Sequence, residues 1–129
     1  MKYLLDTNIV IAIRNKNPKV LAELQKHRIE DIAISSIVYF ELIFGAYNSQ
    51  RVQDNLADLH RLPFTILPFG EKDAYEAGLI RSDLKTKGTP IGAYDTLIAG
   101  QAISQGLILI THNIKEFNRV ANLAYENWL

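Results

Sequence analysis

Apolar residues along the chain fall into two kinds of pattern, short continuous runs and stripes at helical spacing, and the two follow one another. The runs at 2–5, 32–34, 64–67 and 107–110 are strand-sized and fit buried strands. Asp6-Thr7-Asn8 offers cap chemistry for a helix beginning near Ile9. Pro18 suits the first turn of a helix over 18–28, with Val20, Leu21 and Leu24 on its apolar face. Ser35-Ser36 precedes a helix over 37–47, and a polar helix at 50–61 ends before Pro63. A long amphipathic helix over 71–86 turns Ala74, Ala77 and Leu84 inward. Gly88 and Pro90 mark 85–90 as a loop, and the helix over 94–104 stops at Gly106. Thr111-His112-Asn113 and a short helical turn through Phe117 come next, and 123–125 reads as a last edge strand. Strands alternating with helices predict parallel βαβ units in an open α/β sheet.

The 129 residues suit one domain over 1–129, and the chain contains no internal repeat or linker. Cysteine is absent, which removes disulfides and thiolate ligands from consideration. The run before Asp6 is too short for a signal peptide and no run is long enough to span a membrane, so a cytoplasmic setting is expected. Lys and Arg balance Asp and Glu at 14 each. That excludes a binder relying on a broadly basic surface, because such proteins gain affinity by displacing counterions. It leaves room for an enzyme that holds a polyanion through bound cations and a local patch.

Charge becomes informative where it is scarce. Asp6 is the only formally charged residue between Lys2 and Arg14, Glu41 between Asp31 and Arg51, and Asp95 between Lys87 and Lys115. A lone carboxylate in apolar surroundings is costly unless something compensates it, and none has Lys or Arg at helical pairing distance. Ile37, Phe40 and Phe44 share a helical stripe with Glu41, and Ile98, Ala99 and Ala102 share one with Asp95, so both acids are expected to point inward. Asp6 and the segment Thr111–Asn113 each follow a strand, where open α/β sheets build their sites. One shared cation would compensate all three acids. All-oxygen donors suit Mg²⁺ or Mn²⁺, whose usual work is phosphoryl chemistry. As ordinary structure, Asp6 and Asp95 would each be a helix cap, with Ser36 capping the helix that carries Glu41.

Leu5-Asp6-Thr7-Asn8, the segment 36–42 around Glu41, the segment 91–99 around Asp95, and Thr111–Phe117 occur in the order and spacing of the PIN domain. The chain resembles, more narrowly, the VapC ribonuclease toxins of bacterial toxin–antitoxin pairs, from its first strand to Glu126-Asn127-Trp128. The resemblance implies a three-layer α/β/α sandwich with a parallel sheet of four to five strands. It also implies Mg²⁺- or Mn²⁺-dependent endoribonuclease activity, neutralisation by a VapB-type antitoxin that binds DNA, and a homodimer. Asp6, Glu41 and Asp95 match the family's metal-binding acids. Asn113 matches a position where many members carry a fourth acid, and Glu116, one helical turn later, is read either as restoring the missing charge or as a surface residue. Thr7, Asn8 and Thr111 match polar positions that orient the acids. Similar members act on tRNA, including initiator tRNA, which extends to this chain as an expectation.

Arg14, Lys16, Lys85 and Lys87 are candidate phosphate contacts, and Tyr39, Phe40, Phe44 and Tyr47 are read as core and dimer surface. His27, His60 and His112 lack zinc-ligand spacing, although His112 neighbours Asn113. Two alternatives stand beside the nuclease. In a phosphatase with Asp6 as nucleophile, the acid usual two residues on is here Asn8; in an inactive binding module, the three acids would be expected to be lost.

Overall fold

The computed structural model describes residues 1–129. Five strands form one sheet: Tyr3–Leu5 (β1), Ile32–Ser35 (β2), Thr65–Leu67 (β3), Ile108–Ile110 (β4) and Tyr125–Glu126 (β5). Their order is β3-β2-β1-β4-β5, with every neighbouring pair parallel. Seven helices intervene: Thr7–Arg14 (α1), Pro18–Leu24 (α2), Ser36–Tyr47 (α3), Val52–His60 (α4), Glu71–Thr86 (α5), Ala93–Gln105 (α6) and Ile114–Phe117 (α7). They cover both faces of the sheet, which makes the expected three-layer α/β/α sandwich. β1 and β2 are buried along their whole length, and β4 nearly so. This is why they read as unbroken apolar runs rather than as alternating ones.

Strand order positions the site. The chain builds outward from β1 through β2 to β3, then crosses back to lay β4 on β1's other side. Loops leaving β1 and β4 therefore diverge, and the crevice between them at the strands' carboxyl ends is the topological switch point. Asp6 leaves β1 there, and Thr111 leaves β4.

Helix boundaries follow local chemistry more closely than the sequence pattern does. α1 starts at Thr7 rather than Ile9, because Asp6 itself is the cap and accepts the Thr7 N–H at 2.8 Å. α3 starts at Ser36: Ser35 caps it by accepting the Ile37 N–H at 3.0 Å, and the Ser36 hydroxyl accepts the Phe69 N–H instead. α2 ends at Leu24, and a short 3₁₀ turn at Ile29–Asp31 leads into β2. α4 covers Val52–His60 rather than 50–61, and β5 pairs two residues later than expected, at Tyr125–Glu126.

α5 buries Ala77 and Leu84 as anticipated but leaves Ala74 exposed. Asp73 is buried in its place, accepting from the Gly70 N–H at 2.8 Å and from Gln105 Nε2 at 3.2 Å. α5 and α6 pack closely: a Cβ on Gly100 would stand 2.6 Å from the Ala77 nitrogen. Gln101, fully buried, donates from Nε2 to the carbonyls of Leu67 and Pro68, tying α6 to the end of β3. Gly106 ends α6 in the left-handed conformation, φ 68°. No helix is long and apolar enough to cross a membrane.

Candidate active site

Asp6 sits at the end of the central strand with 4% of its surface exposed, and three neighbours aim donors at it. Oδ1 accepts the Thr7 N–H, while Oδ2 accepts the Thr111 hydroxyl at 2.8 Å and Asn8 Nδ2 at 3.3 Å. Burial pushes its carboxyl above the ordinary range, and those hydrogen bonds pull it part of the way back. Asn8 also accepts the His112 N–H on Oδ1 at 3.1 Å, so one amide ties the turn after β1 to the turn after β4.

Glu41 reaches the same region from α3 and accepts the Thr7 hydroxyl at 3.2 Å. Desolvation raises its carboxyl too, and the charge on Asp6 adds to the effect. Its surroundings differ from those expected. The buried face of α3 is Val38, Leu42 and Ala46, whereas Phe40 and Phe44 are 52% and 64% exposed. The stripe shared with Glu41 is thus an open apolar face, and Glu41 lies half-buried at its border. Tyr47 is exposed as well, so the aromatic series of α3 is surface, with only Tyr39 partly buried.

Asp95 lies in the first turn of α6, three residues past Gly92, which caps the helix without a side chain. The negative charge is favoured there by the unsatisfied N–H groups of the helix start. Even so its carboxyl is pushed up to about 8, first by burial, then by its hydrogen bond with Glu116 and by the charges of Asp6, Glu116 and Glu41. Asn113 bridges this corner, with Nδ2 3.4 Å from Asp95 Oδ2 and 3.1 Å from Glu116 Oε2. For Glu116, the contact with Asp95 first, then those with Asn113 and the Gly92 backbone and the charge of Arg119, hold the carboxyl below the usual range. Glu116 is therefore part of the cluster, one helical turn beyond Asn113.

Four carboxyl groups thus act on one another electrostatically, and no salt bridge in the protein reaches any of them. Nor are any three acidic or imidazole side chains gathered closely enough to make a complete metal cage. The donor set is one of hard oxygens with room between them, which fits an ion that keeps several waters. Of the basic candidates, Arg14 lines a cleft beside Glu41, Lys87 pairs with Asp83, Lys85 lines a groove between α5 and α6, and Lys16 is exposed. His112 is exposed and meets Asn127 through Nδ1, and His27 stacks on Trp128 away from the acids.

Residues 3–123 match the PIN domain family. The chain is 37% identical to a tRNA(fMet)-specific endonuclease VapC of Salmonella typhimurium, over 99% of this chain and 98% of that protein. It is 41% identical to Ribonuclease VapC2 of Rickettsia felis with the same coverage. Its fold superposes on a chain of the DNA-bound VapBC structure from Salmonella typhimurium with a TM-score of 0.94 and 36% identity, covering 100% of this chain and 99% of that one.

Proposed function

As the chain belongs to the PIN-domain family, among its VapC ribonucleases, we propose that it is an endoribonuclease toxin that hydrolyses RNA phosphodiester bonds with Mg²⁺ or Mn²⁺. The observation that carries the reading is the carboxylate cluster at the switch point, which no salt bridge neutralises, with Asp95 raised to about 8. Such a cluster is unfavourable for the protein alone and favourable for a cation.

Asp6, Glu41 and Asp95 would hold the ion. Once bound, it would activate a water and neutralise charge developing on the phosphoryl oxygens. Thr111, Asn8 and the Thr7 N–H fix both oxygens of Asp6, and the Thr7 hydroxyl orients Glu41. Asp95 and Glu116 press on one another at this corner, and Asn113 keeps an amide donor on both. Asn113 carries no charge where many family members carry a fourth acid, and Glu116 supplies that charge from the next turn.

The substrate we propose is tRNA, the initiator tRNA included, following the Salmonella relative's name. The partner is a VapB-type antitoxin that binds DNA, in keeping with the DNA-bound VapBC assemblies that the chain resembles. The toxin acts as a homodimer in the cytoplasm.

Asp6→Ala and Asp95→Ala test the site directly. Each should lower Mg²⁺-dependent cleavage of tRNA by roughly a thousandfold, as loss of a group aimed at the transition state does. Circular dichroism confirms folding, and chelation of the cation should have the same effect on the wild type. Undiminished cleavage by both variants sinks the assignment.

A further inference from the structure

Polar surface continues beyond Glu41. On its far side a cleft of about 370 Å³ opens between α1, α3 and α4. Thr7 and Glu41 form the inner end, Ile11 and Arg14 one wall, Asn55 and Asp58 the other, and Gly45 borders it on α3. That volume is at the lower end of the range for small-ligand sites, the scale of one nucleotide rather than of a packed helix.

Arg14 ends α1 with its side chain 24% exposed. Its partners hold it at long range, Asn55 Oδ1 at 3.4 Å and Asp58 at 3.9 Å, and Asp58 is shared with Arg61 at 3.3 Å. The guanidinium is placed but not saturated, and it retains donors for an anionic oxygen. Asn15 adds an exposed amide that both donates and accepts, as the edges of unstacked bases require, while Asn55, which accepts Arg14 on Oδ1 and donates from Nδ2 to Ser49 Oγ at 2.9 Å, holds the guanidinium in place. Ile11 is 44% exposed and gives a ring an apolar surface.

We propose that this cleft is a nucleotide subsite, which seats the RNA nucleotide next to the scissile phosphate with Arg14 on its phosphate oxygen. The proposal rests on the ribonuclease reading and extends it to substrate choice. Its lining is polar, with Arg14 as the one cation beside Glu41 and Asp58, and suits the donors and acceptors of a nucleotide better than an apolar protein segment. An amphipathic partner helix needs an apolar groove, and the apolar surface of α3 is the neighbouring stripe of Phe40, Phe44 and Tyr47.

Gly45 allows a test that spares the fold, because a Cβ there meets nothing within 4 Å. Gly45→Phe fills the cleft, Gly45→Ala leaves most of it open, and Arg14→Gln removes the charge. With a labelled tRNA stem-loop and Mn²⁺, the filled and the uncharged variants should raise KM about tenfold, with kcat within about twofold of wild type. Gly45→Ala, a one-carbon wedge in the same cleft, should raise KM by less than Gly45→Phe does. Anisotropy of the same RNA on an Asp6→Asn background should report weaker binding by the same factor, independently of turnover. An unchanged KM in a folded Gly45→Phe variant overturns the proposal. So does a variant that loses the antitoxin while keeping its RNA affinity, since the cleft then serves the protein partner. A wild type that cleaves no RNA is a separate failure, of the ribonuclease reading itself, and takes the subsite with it.

Discussion

The two aspartates of the site, one buried and one half-buried, are both raised, yet their corners are built on opposite terms. At the end of β1, Asp6 is deeply buried but has a hydrogen-bond donor on each oxygen. At the start of α6, Asp95 is more open but faces Glu116, Asp6 and Glu41. The first corner is polar and satisfied; the second is crowded with like charge. The difference shows which residue sets the geometry and which one stores the demand for a cation. Asp6 holds its position through the fold, and Asp95 is relieved only when positive charge or a proton arrives.

Replacing each acid by its amide should separate the two corners by the sign of the stability change. Asp6→Asn puts an NH₂ where Oδ2 accepts from Thr111 and Asn8, and should destabilise the protein by about 1–3 kcal/mol, the cost of unsatisfied buried donors. Asp95→Asn removes a carboxyl that must either bear a repelled charge or take up a proton on folding, and should raise the melting temperature of the cation-free protein by roughly 2–5 °C. Urea and thermal unfolding in EDTA measure both, and equal signs would collapse the distinction.

A pH series sharpens the same contrast. Asp95 titrates near 3.8 as an ordinary carboxyl and at about 8 in the fold. Between those values the folded state binds more protons than the unfolded one, so this group lowers stability as pH rises through the window. Asp6 and Glu41 are raised and act in the same direction. Glu116 is lowered, and its contribution is lost instead as pH falls below the carboxylate range. The cation-free protein should therefore lose melting temperature between pH 5 and 8 by a few degrees, on the order expected for about 1 kcal/mol in a domain of this size. Saturating Mn²⁺ should flatten the slope, and Asp95→Asn should remove most of it. A flat profile without cation would show that the crowded corner carries no strain.

The smallest expected effect is at the bridge. Asn113→Asp replaces a shared donor with a fourth acid, and in EDTA should cost about 1 kcal/mol or less, given the exposure of this corner. Calorimetry should show Mn²⁺ binding more tightly or with higher stoichiometry. If neither changes, Glu116 already provides what the site requires.

Much of this was legible in the chain. The isolation of Asp6, Glu41 and Asp95 reflects a real physical cost, and the structure brings the three within electrostatic reach of one another. Gly106 and the run after it marked the end of α6 because only a left-handed residue closes the helix there. Orientation about a helix axis was harder to read. α3 is apolar nearly all round, so its periodicity did not reveal that Val38, Leu42 and Ala46 face the core while Phe40 and Phe44 do not. Ala74 was misplaced for a related reason: Asp73 takes the buried position through a cap bond to Gly70, a signal readable only as Gly-x-x-Asp at a helix start. Glu116 sat among charged neighbours in sequence, and its place in the cluster depends on α7 packing beside the first turn of α6.

The contact between Gly100 and Ala77 gives a last consequence. Gly100 lies five residues beyond Asp95 on α6, about 7.5 Å along the axis at the usual helical rise. α6 is rigid over that length, so any wedge at Gly100 becomes an angular error in the carboxylate it carries. A single added methyl would force the two helices apart and rotate the aim of Asp95, with every residue around the site unaltered. Accuracy at the reacting centre is inherited from the clearance between two helix backbones.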